Sequence, residues 1–182
     1  MLDKAELLLP AGSLIKLKTA ILYGADAVYA GTPDMCLRAQ SKFSLEELKE
    51  GIEYTHAHNK KIYLTLNLFM HNSDIEKLPT FVKTLQELRP DGVLIADPGV
   101  FQYVKQAAPE LNLFVSTQAN ICSWAAVKFW QSQGAKLCVL GREVLLKKPK
   151  KSAKNVLTFC LKLSCTEPCV CLIPVVASFL TI

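Results

Sequence analysis

The sequence predicts an α/β protein: a partial TIM-like (β/α) barrel, incomplete, with about six β/α units. Up to residue 145, short apolar runs alternate with amphipathic stretches, the pattern of strands and helices that alternate along a parallel sheet. The apolar runs lack regular polar alternation, which is typical of strands buried on both faces. The candidate strands are Leu7–Pro10, Ala25–Ala30, Lys61–Leu68, Gly92–Ala96, Leu113–Thr117 and Leu137–Leu140.

Capping and stop signals mark the helices between these strands. Ser13 is placed to cap a helix over Leu14–Tyr23, which Gly24 ends. The segment from Ser44 to Glu47 reads as a capping box at the start of the second helix. The remaining helices are predicted over Ile75–Leu88 after Asp74, over Gly99–Ala108 after Pro98, and over Trp124–Gln133 after Ser123 or Asn120, with Gly134 as the stop.

The balance of basic and acidic residues changes at about residue 145. Through Glu143 there are 15 basic and 15 acidic residues, whereas the rest contains six lysines and one acid, Glu167. Four of the seven cysteines and none of the eight glycines lie in that last part. We therefore predict a barrel segment over residues 1–145 and an out-of-frame or poorly structured tail over residues 146–182.

The bulk properties favour a cytoplasmic protein. The N-terminus carries Asp3 and Glu6 ahead of a short apolar run, unlike a secretory signal peptide. No stretch reaches the 18 or so apolar residues of a membrane span, so we expect no membrane association.

Polar residues recur where the predicted strands end, which in barrels is the face that carries chemistry. The predicted substrate-binding residues are Asn67, Asp97, Ser116, Gln118, Asn120, Arg142 and Glu143. Each also has a simpler interpretation: Asp97 and Asn120 as helix caps, and Arg142 with Glu143 as a surface ion pair. No residue can be assigned as catalytic.

The sequence predicts no metal site. The tail cysteines Cys160, Cys165, Cys169 and Cys171 are separated by four, three and one residues, and they lack the paired two-residue gaps of a zinc site.

Several segments together resemble one known family, the collagenase-like peptidases of peptidase family U-32. The resemblance covers roughly residues 5–145 and lies in these stretches: 6–13 (ELLLPAGS), 23–29 (YGADAVY), Arg38-Ala39, Phe43-Ser44, Thr65-Leu66-Asn67, Asp97-Pro98-Gly99, 116–120 (STQAN) and Gly141-Arg142-Glu143. It implies the N-terminal region of a TIM-like barrel.

The resemblance leaves the function open between three expectations. The intact parent protein is expected to be a hydrolase acting on peptides, as the family name implies; alternatively it takes part in hydroxylating tRNA or rRNA bases. The third expectation is that this chain is a truncated, inactive product of an active parent. A peptide or an RNA is accordingly the expected substrate of the parent.

The tail does not show the family signature E-x-F-x-x-G-A-M-C-x-x-x-x-G-x-C. Shifted by one base, however, codons allowed for Cys165 to Val170 can encode H-G-A-M-C-V, and those for Cys171 to Ala177 can encode S-Y-S-G-R-C. We infer a reading-frame shift near Leu145–Pro149. Some family members hold an iron–sulfur cluster on cysteines that this chain would then lack, so no cofactor is expected here.

An incomplete barrel has a further consequence. Six β/α units would leave two sheet edges without partners, and unpaired edges favour association with other chains. Self-association and little activity are therefore expected of this chain.

Overall fold

The computed structural model describes residues 6–33, 43–141, 143–146, 158–164, 170–176 and 180–181, and side chains up to residue 144. Six strands lie side by side in sequence order, and each is parallel to the next. They are β1 (Glu6–Ala11), β2 (Ala27–Gly31), β3 (Lys61–Leu66), β4 (Gly92–Ile95), β5 (Leu113–Val115) and β6 (Leu137–Val139). The predicted partial barrel of six β/α units is confirmed.

Helices connect these strands: α1 (Leu14–Leu22), α2 (Leu45–Ala57), α3 (Asn72–Ile75), α4 (Leu78–Leu88), α5 (Pro98–Ala107) and α6 (Trp124–Ser132). Ser13 caps α1 through the Lys16 N–H, and Ser44 with Glu47 forms the predicted capping box of α2. Of the two candidates for the cap of α6, Ser123 is the one whose hydroxyl accepts from a first-turn N–H. None of the described helices is long and apolar enough to cross a lipid bilayer.

The predicted helix from Ile75 to Leu88 is wrong at its start. The structure has a single turn, α3, and then a separate helix α4 with Pro79 in its first turn. Proline has no N–H to donate and fits the first turn of a helix rather than its interior. Asp74 instead closes the first turn of α3, where its carboxylate accepts from the His71 N–H at 3.1 Å.

Apolar residues on the two faces of the sheet form two packed layers. One layer lies between the sheet and the helices and includes Ile62, Leu64 and Ile95. The other fills the inside of the barrel, because successive side chains of a strand point to opposite faces. Its members are Leu8, Ala27, Tyr63, Leu94, Phe114, Leu137 and Val139. Burial on both faces explains why the strands read as continuous apolar runs.

Backbone from the last part of the chain closes the barrel. Strands β8 (Thr158–Ser164) and β9 (Val170–Val176) pair antiparallel with each other; β8 lies parallel to β6, and β9 lies antiparallel to β1. A second small sheet pairs β7 (Leu145–Leu146) with β10 (Leu180–Thr181). The expectation of two unpaired edges is therefore wrong: the edges of β1 and β6 are both hydrogen-bonded within the chain. The boundary at residue 145 stays a prediction.

Candidate functional site at the carboxyl ends of the strands

Parallel strands of a barrel all end at one rim, and the residues that follow them share that face. The structure places most of the predicted substrate-binding residues there. Asn67 directly follows β3, Asp97 lies just beyond β4, Ser116 directly follows β5, Gln118 and Asn120 belong to the next turn, and Glu143 lies beyond β6. Arg142 lies outside the described residues, so its predicted role and its pairing with Glu143 stay predictions.

The segment after β5 is built around Ser116. Its N–H donates to the Ile95 carbonyl at 2.8 Å, which holds it against the end of β4. Its buried hydroxyl donates to the Gln118 side-chain carbonyl at 3.1 Å. Gln118 itself is exposed in a 3₁₀ turn, η1 (Thr117–Ala119). Its NH₂ group can donate to a ligand, and its oxygen keeps a second lone pair that can accept.

A cluster of three polar side chains connects the loop after β5 to the loop after β6. The Cys122 thiol lies 3.5 Å from Asn120 Oδ1 and 3.9 Å from Glu143 Oε2. Asn120 has φ +51° at the end of η1, a backbone region that Asn tolerates better than most residues. The N–H of Gly141 donates to the Ile121 carbonyl at 2.9 Å. Amide, thiol and carboxylate thus meet at one point of the rim.

Gly141 makes this meeting sterically feasible. A Cβ at this position would lie 2.7 Å from Glu143 Oε2 and 2.8 Å from Cys122 Sγ. Any side chain here would therefore displace both groups. The sequence analysis predicted Glu143 and Asn120 but missed Cys122. Its position between Asn120 and the helix cap Ser123 could have indicated that it lies at the rim.

Asp97 and Asn67 have different surroundings at the rim. The Asp97 carboxylate accepts from the Val100 N–H at 2.9 Å and caps α5, as the simpler interpretation predicts. Asn67 is half-buried at the end of β3. A role for either in substrate binding stays a prediction.

The described residues do not fit a metal or iron–sulfur site. Nowhere in the described part of the chain do three or more His, Cys, Asp or Glu side chains come together in a way that could hold a metal ion. Burial raises the pKa of the Cys138 thiol to about 12, so this cysteine stays protonated and is a poor ligand. The side chains of the four tail cysteines lie outside the described residues, so the expectation about them stays a prediction.

The polar groups at the amino ends of the strands hold the fold together. Glu6 accepts from Lys61 Nζ at 2.7 Å and from the Tyr63 hydroxyl at 2.8 Å. Asp26 pairs with Lys60 at 3.1 Å and accepts from the Leu7 N–H at 3.0 Å. This distribution leaves the carboxyl-end rim as the candidate site.

Comparison with known proteins supports the family resemblance. A model of peptidase family U32 matches residues 12–161, which is most of the chain. The tRNA hydroxylation protein P of Escherichia coli is 43% identical over 157 residues, covering 84% of this chain and 34% of that protein. A 23S rRNA 5-hydroxycytidine synthase of Escherichia coli is 32% identical over 143 residues, or 79% of this chain and 21% of its own length.

Other relatives are named differently. A protein of Methanocaldococcus jannaschii named as an uncharacterized protease is 38% identical over 157 residues, covering 86% of this chain and 38% of that protein. The solved structure of a U32 peptidase superposes with a TM-score of 0.60 at 15% identity, over 73% of this chain and 57% of that one; at this identity the likeness concerns the fold. The chain spans about a third of the length of the tRNA hydroxylation protein of Escherichia coli.

Proposed function

The chain belongs to peptidase family U32, and we propose that the protein of which it forms the N-terminal barrel segment takes part in hydroxylating bases of RNA, with tRNA as the first substrate class. The observation that carries this proposal is the 43% identity over 157 residues to a protein named for tRNA hydroxylation. A second relative, at 32% identity, is named for hydroxylating a cytidine of rRNA. Both names refer to RNA, and neither refers to peptides.

The rim is chemically suited to a base. Gln118 and Asn120 are exposed and carry amide groups, which can donate to and accept from the edges of an unpaired base. Because Ser116 holds the Gln118 carbonyl at 3.1 Å, the amide is oriented before a ligand arrives, which lowers the entropic cost of binding. The role of these residues is to bind and orient the base.

A complementation experiment tests the proposal. A strain of Escherichia coli that lacks its tRNA hydroxylation protein receives one of three genes. The first encodes this chain, the second encodes a version in which the inferred reading-frame shift is corrected, and the third encodes that corrected version with Gln118→Ala. Mass spectrometry of tRNA nucleosides then measures the fraction that has gained one oxygen atom. We expect the frame-corrected protein to restore that fraction and Gln118→Ala to lower it. No restoration by the frame-corrected protein, when it is present at normal levels, would overturn the proposal.

The composition of residues 146–182 supports a second part of the proposal, a reading-frame shift near Leu145–Pro149. Glycine disappears and lysine and cysteine accumulate after Glu143. Resequencing the gene across these codons tests it. A single base change that restores the family signature would support the shift, and DNA that does not encode the signature in any frame would contradict it.

Peptide hydrolysis is the second candidate, favoured by the family name and by the relative named as a protease at 38% identity. It requires an activated nucleophile or a metal-bound water. In the described residues the Ser116 hydroxyl donates to an amide rather than to a base. Cleavage of denatured collagen or casein by the frame-corrected protein, lost in Ser116→Ala, would favour this candidate over RNA hydroxylation.

A further inference from the structure

Four aromatic side chains are strongly exposed among the described residues: Tyr23 (84%), Phe69 (66%), Phe129 (54%) and Trp124 (51%). They do not share one position in the fold. Phe69 lies in the loop between β3 and α3, and Trp124 is the first residue of α6. Strand-to-helix loops and the first turns of helices both lie at the carboxyl-end face of a barrel, so these two aromatics belong to the face of the candidate site.

The other two aromatics lie elsewhere and have different surroundings. Tyr23 directly follows α1 as its C-cap, which places it at the amino-end face. Phe129 lies in the second turn of α6, where its ring meets the edge of the Trp130 ring with centroids 5.5 Å apart. They provide matched controls: exposed aromatic residues of the same chain that are away from the rim.

Trp124 has a cation beside it. Lys128 Nζ lies 4.9 Å from the centre of the Trp124 ring, and Lys128 forms no ion pair with any residue for which side chains are described. Exposed aromatic rings with nearby cations are the combination that binds unpaired nucleotides: bases stack on the rings, and the cations meet the phosphates. A peptide or protein partner requires no such combination.

Trp124 also follows closely on the polar rim. Only three residues separate it from Asn120, and Ser123, the last of them, caps α6. Phe69 follows Asn67 at the end of β3 by two residues. On two separate strand ends, an amide side chain is thus followed by an exposed aromatic ring. Amides can recognise base edges, and rings can hold base faces.

We propose that Phe69 and Trp124 are stacking positions for unpaired bases of an RNA bound at the carboxyl-end face of the barrel. The inference rests on the proposed function and adds to it the form of the substrate, which is a single-stranded loop rather than a duplex. Duplex RNA keeps its bases stacked on one another and offers no free base face to these rings.

The test measures binding of the full 182-residue chain to unmodified bulk tRNA by fluorescence anisotropy, at several salt concentrations. Phe69→Ala and Trp124→Ala are each expected to weaken binding about 5- to 150-fold, the range for one stacked base. Phe69→Tyr should retain binding because it keeps the ring. The controls Tyr23→Ala and Phe129→Ala should bind like the wild type.

The salt dependence separates stacking from charge. Loss of a stacked base changes the affinity but leaves the slope of log affinity against log salt unchanged, whereas loss of a phosphate contact reduces that slope. Lys128→Gln should therefore reduce the slope, and Phe69→Ala should not. Circular dichroism of each variant shows whether it is folded. Phe69→Tyr keeps the aromatic ring, so its comparison with Phe69→Ala separates loss of the ring from an effect on folding.

The outcomes distinguish the two proposals. If the wild type binds tRNA and the rim variants bind as well as the two controls, the stacking inference is overturned while the proposed function stands. If the wild type binds a duplex RNA of equal length as tightly as tRNA, the single-stranded preference is overturned. If the folded wild type binds no tRNA even at low salt, the RNA function proposed for this site fails, and the stacking inference fails with it.

Discussion

The carboxylate of Asp91, just ahead of β4, accepts a hydrogen bond from the backbone N–H of Ile62 in β3 at 2.8 Å. The same oxygen lies 3.0 Å from His56 Nε2, and the Asp91 N–H donates to the Ile62 carbonyl at 3.0 Å. Asp26, ahead of β2, repeats the arrangement with Leu7 of β1, at 3.0 Å for the carboxylate and 2.9 Å for the N–H. Twice in this sheet, an aspartate ties the start of one strand to the start of its neighbour.

Asp91→Ala should lower the free energy of unfolding by about 1–3 kcal/mol, because the partly buried Ile62 N–H loses its acceptor. Urea denaturation followed by circular dichroism measures the change. The control is Glu110→Ala: this exposed carboxylate accepts from Gln86 at 2.7 Å, and its loss should cost no more than about 0.5 kcal/mol. Equal losses in the two variants would contradict the role of Asp91.

Gly92 begins β4 directly under an aromatic ring. A Cβ added there would lie 2.2 Å from Cε2 of Phe114 inside the barrel. Gly92→Ala is therefore expected to destabilise the protein by about 1–3 kcal/mol through overpacking, measured as a fall in the urea midpoint.

A second substitution identifies the cause of that loss. Phe114→Leu removes the clashing ring atoms, so the double variant should be more stable than the sum of the two single changes predicts. Gly12→Ala serves as the control, because a Cβ at Gly12 meets nothing within 4 Å. Additive effects of the Gly92 and Phe114 substitutions would show that the ring is not the cause.

Local signals in the sequence were sufficient for the six parallel strands and for most of the helices between them, although they did not separate α3 from α4. Ser13 and the box of Ser44 with Glu47 cap helices through residues only three positions away, so a sequence window contains the whole interaction. The rim residues Ser116 and Gln118 could be found for the same reason. They lie in one short segment, and the family resemblance covers it.

Contacts between distant segments could not be predicted. The Asp91 carboxylate meets Ile62 across 29 positions, and Cys122 meets Glu143 across 21. Neither distance is fixed by local pattern, since both depend on how neighbouring strands align. Closure of the barrel by β8 and β9 is the extreme case, because neither the composition nor the local pattern of that part of the chain carried information on strand pairing.

The buried thiol of Cys138 predicts a pH dependence of stability. Burial raises its pKa from 9.0 to about 12, so the folded state keeps a proton that the unfolded state releases above about pH 9. Between these two values stability should fall as pH rises, by at most about 1.4 kcal/mol per pH unit from this group. Cys138→Ala should make the decline shallower, as measured by urea unfolding at about pH 8 and about pH 10.

Val139→Ala is the matched control for this prediction. It also shortens a buried side chain of β6, but it removes no titrating group. It should lower stability equally at both pH values. A decline with pH that is the same in Cys138→Ala and in Val139→Ala would show that the thiol does not contribute.

Pairing by β8 and β9 predicts the effect of removing them. A chain that ends at Leu146 leaves the hydrogen-bonding edges of β1 and β6 without the partners they have in the structure. Such edges pair with other chains, so the shortened chain should form oligomers whose size grows with concentration. Light scattering after size-exclusion chromatography measures this against the full chain. A folded monomer at every concentration would contradict the pairing.

Gly141→Ala tests the arrangement of the rim itself. The added Cβ would meet Glu143 Oε2 at 2.7 Å and Cys122 Sγ at 2.8 Å. Both are ends of side chains that can move, so stability should change by no more than about 0.5 kcal/mol. The thiol, pushed away from Asn120 Oδ1 and Glu143 Oε2, which lie 3.5 Å and 3.9 Å from it, should react faster with iodoacetamide, because it is no longer held by these two acceptors.

The rate is read at Cys122 alone by digesting the protein and following that peptide by mass spectrometry, since the chain has seven cysteines. Glu143→Ala removes one of the two acceptors of the thiol without a clash at Gly141 and should change the rate in the same direction. Gly99→Ala is the control at the same face: its Cβ would meet Asp97 Oδ1 at 3.1 Å and should leave Cys122 unaffected. If Gly141→Ala and Gly99→Ala alkylate at equal rates, Cys122 and Glu143 are not neighbours in solution, and the contact between the two loops of the rim is wrong.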